Sequence, residues 1–282
     1  MAEKAILYDA TRCTACRGCQ AACKQWNEND EDIPVVENGV QSVNRGSYEN
    51  PPDLSPSTWL KMEFREVERK GMVGWLFTRR ACMHCTDAGC VKVCPTGSLY
   101  HHEKGFVAYD KDTCSGCGFC LEACPFGVPR STRNLLTGIA KADKCTFCTT
   151  PSLDRIAQGW EPACVKTCPT DALIYGDRNQ LVADGKKRVQ ALEAKGYGNA
   201  YLYGDKELGG LHVMYALDDS PAVYGLPVDP QVSAVTIAWQ DVIQPLGWAV
   251  GGLTLVGLGI NYLVAREAKL TRVLPGKKME VI

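Results

Sequence analysis

CSGCGFCLEACP, residues 114–125, holds four cysteines and ends on a proline that follows the last of them. The gaps between successive cysteines are two, two and three residues. A tight loop of this kind can direct its first three thiolates to three corners of one small group, whereas the fourth cysteine begins a segment that points away. The spacing therefore predicts three ligands for one centre and a fourth ligand for another.

Cysteine is far commoner in this chain than in average proteins, with 16 in 282 residues. In a long chain with clustered spacing, cysteines indicate metal or cluster ligands and not the disulfide framework of a short secreted protein. They fall into four groups of four with none left over: Cys13, Cys16, Cys19, Cys23; Cys82, Cys85, Cys90, Cys94; Cys114, Cys117, Cys120, Cys124; and Cys145, Cys148, Cys164, Cys168.

The groups are related by internal repeats. Residues 5–23 align with residues 106–124 at an offset of 101, and every cysteine in the two stretches matches. Residues 90–100 align with residues 164–174 at an offset of 74. We infer a duplicated module in which the first and third groups are alike, as are the second and fourth.

The motif C-x2-C-x2-C-x3-C-P is that of two-cluster ferredoxins, which bind [4Fe-4S] clusters. The third group matches it completely; the first has Lys24 in place of the proline, and the second and fourth widen the middle gap to four and fifteen residues. Zinc is the alternative for C-x2-C pairs, but zinc ribbons pair two such knuckles and have no use for the full motif. We therefore predict an α+β protein in which two ferredoxin-like double-cluster modules hold four [4Fe-4S] clusters on the sixteen cysteines.

Spacing alone leaves the pairing of the groups open. The second and third groups are separated by 19 residues, the third and fourth by 20, and the first and second by 58. Either the two middle groups form one module enclosed by the two outer groups, or adjacent groups pair along the chain.

The segments outside the groups have simpler patterns. Residues 24–81 form an insertion whose first part is polar, and whose second part, residues 58–80, alternates about a turn and predicts a β-hairpin. Residues 178–196 predict one amphipathic helix. Residues 199–231 carry scattered glycines and prolines and predict irregular covering structure, not a domain.

An uncharged stretch near the C-terminus, residues 242–265, would span roughly 36 Å as a helix, against a hydrocarbon core of about 30 Å. A buried core helix is the alternative, but the length, the lack of charge and the glycines, including the GxxxG of Gly247 and Gly251, favour a membrane span that packs closely on another helix. Lys and Arg follow at residues 266–278, whereas residues 231–241 contain neither. The positive-inside rule therefore predicts a cytoplasmic C-terminus and a cluster domain on the periplasmic side of the cytoplasmic membrane.

Two further features restrict the function. The formal net charge of −1, from 31 basic and 32 acidic residues, provides no electrostatic reason to expect a nucleic-acid partner. The residues before Cys13 contain no apolar h-region, so we expect no signal peptide of the usual kind.

Several motifs now make the chain recognisable. It closely resembles the iron–sulfur beta subunit of membrane-bound formate dehydrogenases, within the four-cluster subunits that accompany molybdenum or tungsten bis-pterin oxidoreductases. The resemblance covers nearly the entire chain and includes the single apolar C-terminal segment. The motifs are GWEPACVKTCPTDAL (159–173), CMHCTDAGC (82–90), CPFGVPR (124–130), GLHVMYAL (210–217) and YGLPVDP (224–230).

In that family the pairing is nested, and the resemblance implies the same here. The implied ligand sets are Cys13, Cys16, Cys19 and Cys168; Cys23, Cys145, Cys148 and Cys164; Cys82, Cys85, Cys90 and Cys124; and Cys94, Cys114, Cys117 and Cys120. The implied division of the chain is an outer module of residues 1–23 and 125–176, an insertion of residues 24–81, an inner module of residues 82–124, a helix and covering segment of residues 177–241, a membrane helix of residues 242–265 and a basic tail of residues 266–282.

The resemblance implies an electron-transfer subunit with no catalytic residue of its own. Electrons would enter from a molybdopterin-containing, formate-oxidising alpha subunit and leave through a cytochrome b-type gamma subunit in the membrane to quinone. A signal on the alpha subunit would carry the folded complex across the membrane. The alternatives are the same wire serving a polysulfide, thiosulfate or tetrathionate reductase or a hydrogenase, and a stand-alone soluble ferredoxin-like carrier, which the C-terminal segment argues against.

Charged residues near the cysteines are candidates for adjusting cluster potentials, although each could equally be an ordinary surface charge. We expect the four histidines to be structural hydrogen-bonding residues more than ligands. The basic candidates are Arg79, Arg80, Lys92, Lys141, Lys144 and Lys166.

Overall fold

A computed structural model describes residues 2–29, 35–37, 40–42, 48–69, 71–131, 138, 140–150 and 153–273. The chain divides into two compact units, Met1–Ser233 and Ala234–Ile282. In chain order the first unit contains β1 (Lys4–Asp9), α1 (Gly18–Trp26), β2 (Val35–Glu37), β3 (Val40–Ser42), β4 (Leu60–Arg69), β5 (Met72–Ala81), α2 (Gly89–Lys92), β6 (Leu99–His101), β7 (Val107–Tyr109), α3 (Phe119–Glu122), β8 (Arg130–Ser131), β9 (Ala142–Asp143), β10 (Thr149–Thr150), β11 (Leu153–Asp154), α4 (Ala163–Lys166), β12 (Leu173–Asp177), α5 (Arg178–Glu193), β13 (Tyr201–Tyr203), a 3₁₀ turn (Glu207–Gly209) and β14 (Val213–Leu217).

A four-stranded sheet in the order β12-β1-β14-β13 supports the cysteine loops. Strand β1 pairs antiparallel with β12 and parallel with β14, with Tyr8 opposite Leu173 on one side and Tyr215 on the other. The central strands are almost completely buried, and they are apolar from Ala5 to Tyr8 in β1 and throughout β14, because both faces of the sheet are covered. Helix α5 packs on one face, where Leu181 contacts Ala5 and Met214 within a small apolar cluster.

Residues 199–231 differ from the irregular structure that their glycines and prolines predicted. They contain strands β13 and β14, and β14 lies in the interior of the sheet. All five residues of β14 are buried, so its sequence VMYAL lacks the polar and apolar alternation that marks a half-exposed strand. The prediction was therefore wrong for this part of the segment.

Strands β4 and β5 pair antiparallel over ten residues each, from Leu60 opposite Ala81 to Arg69 opposite Met72. This hairpin is attached to the rest of the first unit by hydrogen bonds along its length. The Tyr8 hydroxyl donates to the Phe77 carbonyl at 2.8 Å. At the far end, Arg69 donates to both Asp218 and Asp219. The hairpin therefore brings residues from the insertion against the sheet and the first cysteine group.

Four short helices share one relation to the cysteine groups. Helices α1, α2, α3 and α4 each begin one residue before the third cysteine of a group. Helix α1 packs on α4, and α2 packs on α3. The second contact is close at Gly89, where an added Cβ would lie 2.6 Å from the Ala123 carbonyl oxygen, so a side chain there would force the two helices apart.

The second unit consists of α6 (Ala234–Ala238), a π-helical turn (Trp239–Ile243) and α7 (Gln244–Val273). Within the described residues, one helix is long and apolar enough to cross a membrane, Gln244–Lys269. It includes most of the predicted span of residues 242–265 and extends it at the C-terminal end. Its large apolar side chains are exposed, from Leu246 to Val264, which fits a lipid-facing helix and not the core helix that was the alternative.

Candidate metal centres

The first cysteine group lies at the mouth of a cavity of about 350 Å³ beside β1. Its first three cysteines line the cavity together with Cys168, the last cysteine of the chain. The loop turns twice through the left-handed region, at Ala15 (φ 51°) and Arg17 (φ 60°). These turns direct amide groups at sulfur, because the Ala15 N–H donates to Cys13 at 3.3 Å.

A second cavity, of about 340 Å³, has the same construction in the repeated stretch. Cys114, Cys117 and Cys120 line it together with Cys94. The turns at Ala15 and Arg17 have their counterparts at Gly116 (φ 75°) and Gly118 (φ 81°), where glycine meets the left-handed conformation at no steric cost. The Leu99 N–H donates to the Cys94 sulfur at 3.5 Å.

The other eight cysteines form two further sets inside the first unit. The members of each set are identified by the thiols that raise one another's pKa. Burial raises the pKa of Cys23 well above its usual value, and Cys145, Cys164 and Cys148 raise it further. Burial likewise raises the pKa of Cys85, with additional contributions from Cys82, Cys124 and Cys90. The four spatial sets are set A (Cys13, Cys16, Cys19, Cys168), set B (Cys23, Cys145, Cys148, Cys164), set C (Cys82, Cys85, Cys90, Cys124) and set D (Cys94, Cys114, Cys117, Cys120).

The sets follow one another through the unit. Burial raises the pKa of Cys19 in set A to about 12, and Cys164 of set B adds to the rise. Burial raises the pKa of Cys82 in set C to about 11, and Cys145 of set B adds to it. Cys90 of set C is raised by burial and also by Cys120 of set D. Each set is therefore electrostatically coupled to the next, in the order A, B, C, D.

These donor sets fit iron–sulfur clusters. Thiols with raised pKa values resist ionisation unless a cation group compensates them, and iron does so when thiolates bind it. None of the sixteen cysteines, all of which lie in the described ranges, forms a disulfide. Two of the four sets line cavities large enough to contain a small inorganic group beside their thiols.

The histidines near the sets make structural hydrogen bonds. The His84 Nδ1 atom lies 3.0 Å from the Val107 carbonyl oxygen, and its ring packs edge-on to Phe147 at 4.9 Å. The His212 Nδ1 atom lies 2.8 Å from the Lys4 carbonyl oxygen. Burial lowers the pKa of both histidines, so the neutral ring is the favoured form.

The basic residues separate into two kinds that the sequence did not distinguish. Arg79 and Lys144 are almost completely buried, at 1% and 2% exposure. Arg155, which the sequence did not single out, is also buried, with its guanidinium carbon 4.3 Å from the centre of the Trp26 ring. No local pattern marks these residues, because their burial depends on chain segments far away in sequence.

Comparison with known proteins agrees with this geometry. Residues 12–98 and residues 73–178 each match the family described as 4Fe-4S dicluster domain. The chain is 41% identical over 258 residues to the formate dehydrogenase iron-sulfur subunit of Haemophilus influenzae, covering 90% of this chain and 78% of that protein. It is 38% identical over 266 residues to the nitrate-inducible formate dehydrogenase iron-sulfur subunit of Escherichia coli K12, covering 93% and 85%. It is 32% identical over 242 residues to the hydrogenase-2 operon protein HybA of Escherichia coli O157:H7, covering 74% and 68%.

Fold, donor sets and family matches together define the class of the protein, an electron-transfer protein that carries [4Fe-4S] clusters on ferredoxin-like double-cluster domains. Within that class, the chain belongs to the family of formate dehydrogenase iron–sulfur subunits. The expected cofactor and the resemblance stated from the motifs are thereby confirmed.

Proposed function

We propose that the chain carries electrons through four [4Fe-4S] clusters from a formate-oxidising molybdenum or tungsten subunit to a cytochrome b-type membrane subunit and quinone. The observation that carries the proposal is the succession of four cysteine sets through one compact unit. Clusters held in such a row supply one-electron storage sites at fixed spacing. The chain's part is to hold them in that row, and the formate chemistry belongs to the partner's cofactor.

We further propose that sets A, B, C and D each bind one cluster, which is the nested pairing. The cavities lined by sets A and D support it, as do the packing of α1 on α4 and of α2 on α3. In this scheme residues 1–23 and 125–176 form the outer module, and residues 82–124 form the inner module. Adjacent pairing along the chain would instead require the α1 group to share its clusters with the α2 group.

Replacing Cys23 by serine tests the pairing. Nested pairing predicts that the Cys23→Ser complex loses or converts the cluster of set B, which the fourth cysteine group mainly supplies, while the set A cluster keeps its spectrum. Electron paramagnetic resonance of the anaerobically purified complex measures the outcome. Loss confined to the set A cluster would refute the nested scheme.

The two ends of the row support entry and exit at sets A and D. Cys16 of set A and Cys117 of set D are exposed, whereas no thiol of sets B and C is exposed and three of the four thiols of set B are buried. Electron transfer to a partner needs a cluster close to the protein surface. We therefore propose that one partner docks at each end of the row.

Formate-dependent quinone reduction tests the proposed partners. The intact complex should reduce a quinone analogue with formate as donor, and the large subunit that co-purifies should contain a molybdopterin cofactor. A complex that reduces quinone with hydrogen but not with formate would favour the second candidate, a hydrogenase. That candidate is supported by the 32% identity to the hydrogenase-2 operon protein HybA.

We propose that helix α7 anchors the chain in the cytoplasmic membrane with its C-terminus in the cytoplasm. Support comes from the exposed apolar side chains along Gln244–Lys269 and from the basic residues at positions 266–278 of the sequence. The cluster-bearing unit would then be periplasmic. Protease added to spheroplasts should cleave the cluster-bearing unit and spare a tag on the C-terminus; the reverse pattern would contradict this orientation.

A further inference from the structure

Arg79 is a buried guanidinium with almost no conventional partner. It lies near the end of β5 with 1% of its surface exposed. One terminal nitrogen, Nη2, lies 3.9 Å from the Cys164 sulfur of set B. The Nε and Nη1 atoms have no hydrogen-bond partner among the described residues. A charge buried in this way is strongly unfavourable unless an opposite charge compensates it.

The groups that act most on Arg79 are thiols and a phenol, and no carboxylate of the described residues is among them. Cys164, Tyr215, Cys145 and Cys19 are the neighbours that act most on it electrostatically. Cys19 belongs to set A, whereas Cys145 and Cys164 belong to set B. Arg79 therefore lies where these two sets meet, and the negative charge available to it is that of their thiolates and of the clusters that these bind.

Lys144 has the corresponding position between sets B and C. It is 2% exposed, and its ammonium donates to two carbonyl oxygens, those of Val107 and Cys145, each at 2.9 Å. Its charge opposes the rise in pKa of Cys82 and Cys90, both in set C. Its backbone precedes Cys145 of set B directly. Among the described residues, its ammonium hydrogen-bonds to carbonyl oxygens and not to a carboxylate.

The other basic candidates have different surroundings. Arg80, next to Arg79, is about one-third exposed and pairs with Asp53 and Glu63. Lys92 pairs with Asp87, and Lys166 is exposed on the surface. The Lys141 ammonium donates to two carbonyl oxygens, those of Lys111 and Asp112, at the surface. Their charges are compensated by carboxylates or screened by water. Among the six candidates, Arg79 and Lys144 are thus the two whose charge is directed into the row of cysteine sets.

We propose that Arg79 and Lys144 are fixed positive charges at the A–B and B–C junctions and raise the reduction potentials of the clusters on either side. A reduced cluster carries one more negative charge than an oxidised one, so a nearby cation in a poorly screened interior favours reduction. Set B lies between the two cations, so the reduction potential of its cluster should be raised most. Set D lies beside neither cation. The inference rests on the proposed assignment of one cluster to each set.

Neutral replacements test the charge at the first junction. In the Arg79→Met complex, the ratio of reduced to oxidised form should fall at least about tenfold for the clusters of sets A and B, compared with wild type at the same ambient potential. That ratio corresponds to a downward shift of about 59 mV for a one-electron couple. Redox titration followed by electron paramagnetic resonance measures it. Arg79→Lys, which keeps the charge, and Arg80→Met, which removes the adjacent exposed charge, should both stay near the wild-type potentials.

Lys144→Met provides an independent arm at the second junction. The clusters of sets B and C should shift downward by a similar ratio, while the cluster of set D keeps its potential in both variants. Unchanged potentials in Arg79→Met and Lys144→Met complexes that retain all four clusters would overturn the proposal. A shift of all four clusters alike would also overturn it, because that would indicate a general change in structure and not a local charge.

A measurement that does not use Arg79→Met covers the case in which that variant does not assemble. Arginine labelled with the heavy nitrogen isotope should show hyperfine coupling to a reduced cluster in the intact complex, and Arg79→Lys should abolish this coupling while Arg155→Lys retains it. Absence of any arginine coupling in the wild-type complex would refute the position of Arg79. Failure of the nested pairing would show differently, because Cys23→Ser would then remove the wrong cluster.

Discussion

The regions around set A and set D are built from the same repeated sequence but differ in their electrostatic surroundings. Both have a cavity of similar volume, lined by three cysteines of one group and the last cysteine of another. Set A is bordered by the buried guanidinium of Arg79, whereas set D has no buried cation among the residues lining its cavity. The repeat thus reproduces the cysteines that line each cavity, and the charge beside them comes from a segment outside the repeat.

The two loops also differ in how they reach the same backbone conformation. At the left-handed positions, set D has Gly116 and Gly118, and set A has Ala15 and Arg17. A non-glycine residue pays for this conformation with about 1 kcal/mol or more. The loop of set A therefore depends more on external support, and the β4–β5 hairpin that packs against it supplies that support.

The largest effect should come from removing the clusters. Apolar packing around sets C and D consists of five buried residues besides Cys120, whereas the β1–β14 sheet has the larger core. Anaerobic removal of iron by a chelator should therefore abolish hydrogen-exchange protection in α2 and α3 while β1 and β14 retain most of theirs. Equal loss in both regions would break the comparison, because it would mean that the sheet too depends on iron.

Replacing the fourth cysteine of the repeated group should remove one cluster. Cys124 is the counterpart of Cys23, and it lies partly buried in set C. Cys124→Ser should eliminate or convert the set C cluster, interrupt the row and lower formate-dependent quinone reduction by at least about tenfold, since a one-cluster gap lengthens the transfer step. Spectra of the variant should still show the set D cluster, and its loss instead of that of set C would contradict the assignment.

The Arg69 contacts should matter to the hairpin and thus to set A. Burial raises the pKa of Asp218, but hydrogen bonds from Arg69 and Tyr224 outweigh it, so the net pKa is lowered. Asp218→Asn should reduce the free energy of unfolding by about 1.5 kcal/mol, because Asp219 continues to pair with Arg69. Denaturant unfolding of the cluster-loaded chain measures this effect, with Asp184→Asn, an exposed pair with Lys187, as a control that changes little.

The pH dependence of that difference follows from the lowered pKa. A carboxylate whose folded pKa lies below its unfolded value of about 3.9 stabilises the fold above that value and loses the contribution as the pH falls through the folded pKa. The wild-type advantage over Asp218→Asn should therefore be constant between about pH 5 and pH 8. A decline within that range would indicate that a different group is responsible.

The smallest expected effect is a difference in unfolding free energy between substitutions of Tyr8 and Tyr109, the two tyrosines that the repeat matches. Tyr8 donates to the Phe77 carbonyl of the hairpin, whereas the Tyr109 hydroxyl has no such backbone partner in the described part of the chain. Tyr8→Phe should cost about 1 kcal/mol of unfolding free energy, and Tyr109→Phe should be close to neutral. Equal costs would show that the hairpin contact contributes nothing and that the tyrosines serve alike in both regions.

Much of the site was predictable, because cluster binding imposes short-range rules. The gaps between cysteines specify loops that hold three thiolates, and Gly116 and Gly118 suit the left-handed turns that one of those loops makes. The long apolar helix α7 was predictable because its sequence contains an uncharged stretch as long as a hydrocarbon core requires. Strand β14 was not, since a strand buried on both faces has no alternating pattern by which to identify it.

The sequence of this protein was sufficient for the number and kind of its clusters and for its family, because thiolate spacing and motif identity are local properties. It left the pairing of the cysteine groups open. It also indicated six basic residues that could adjust cluster reduction potentials, with no means of choosing between them. The folded chain separates those six by burying Arg79 and Lys144 where cysteine sets meet and leaving the others near carboxylates or water. Burial and coupling between charges depend on distance through space, and residues 79 and 164 are brought together only when the hairpin packs on the sheet.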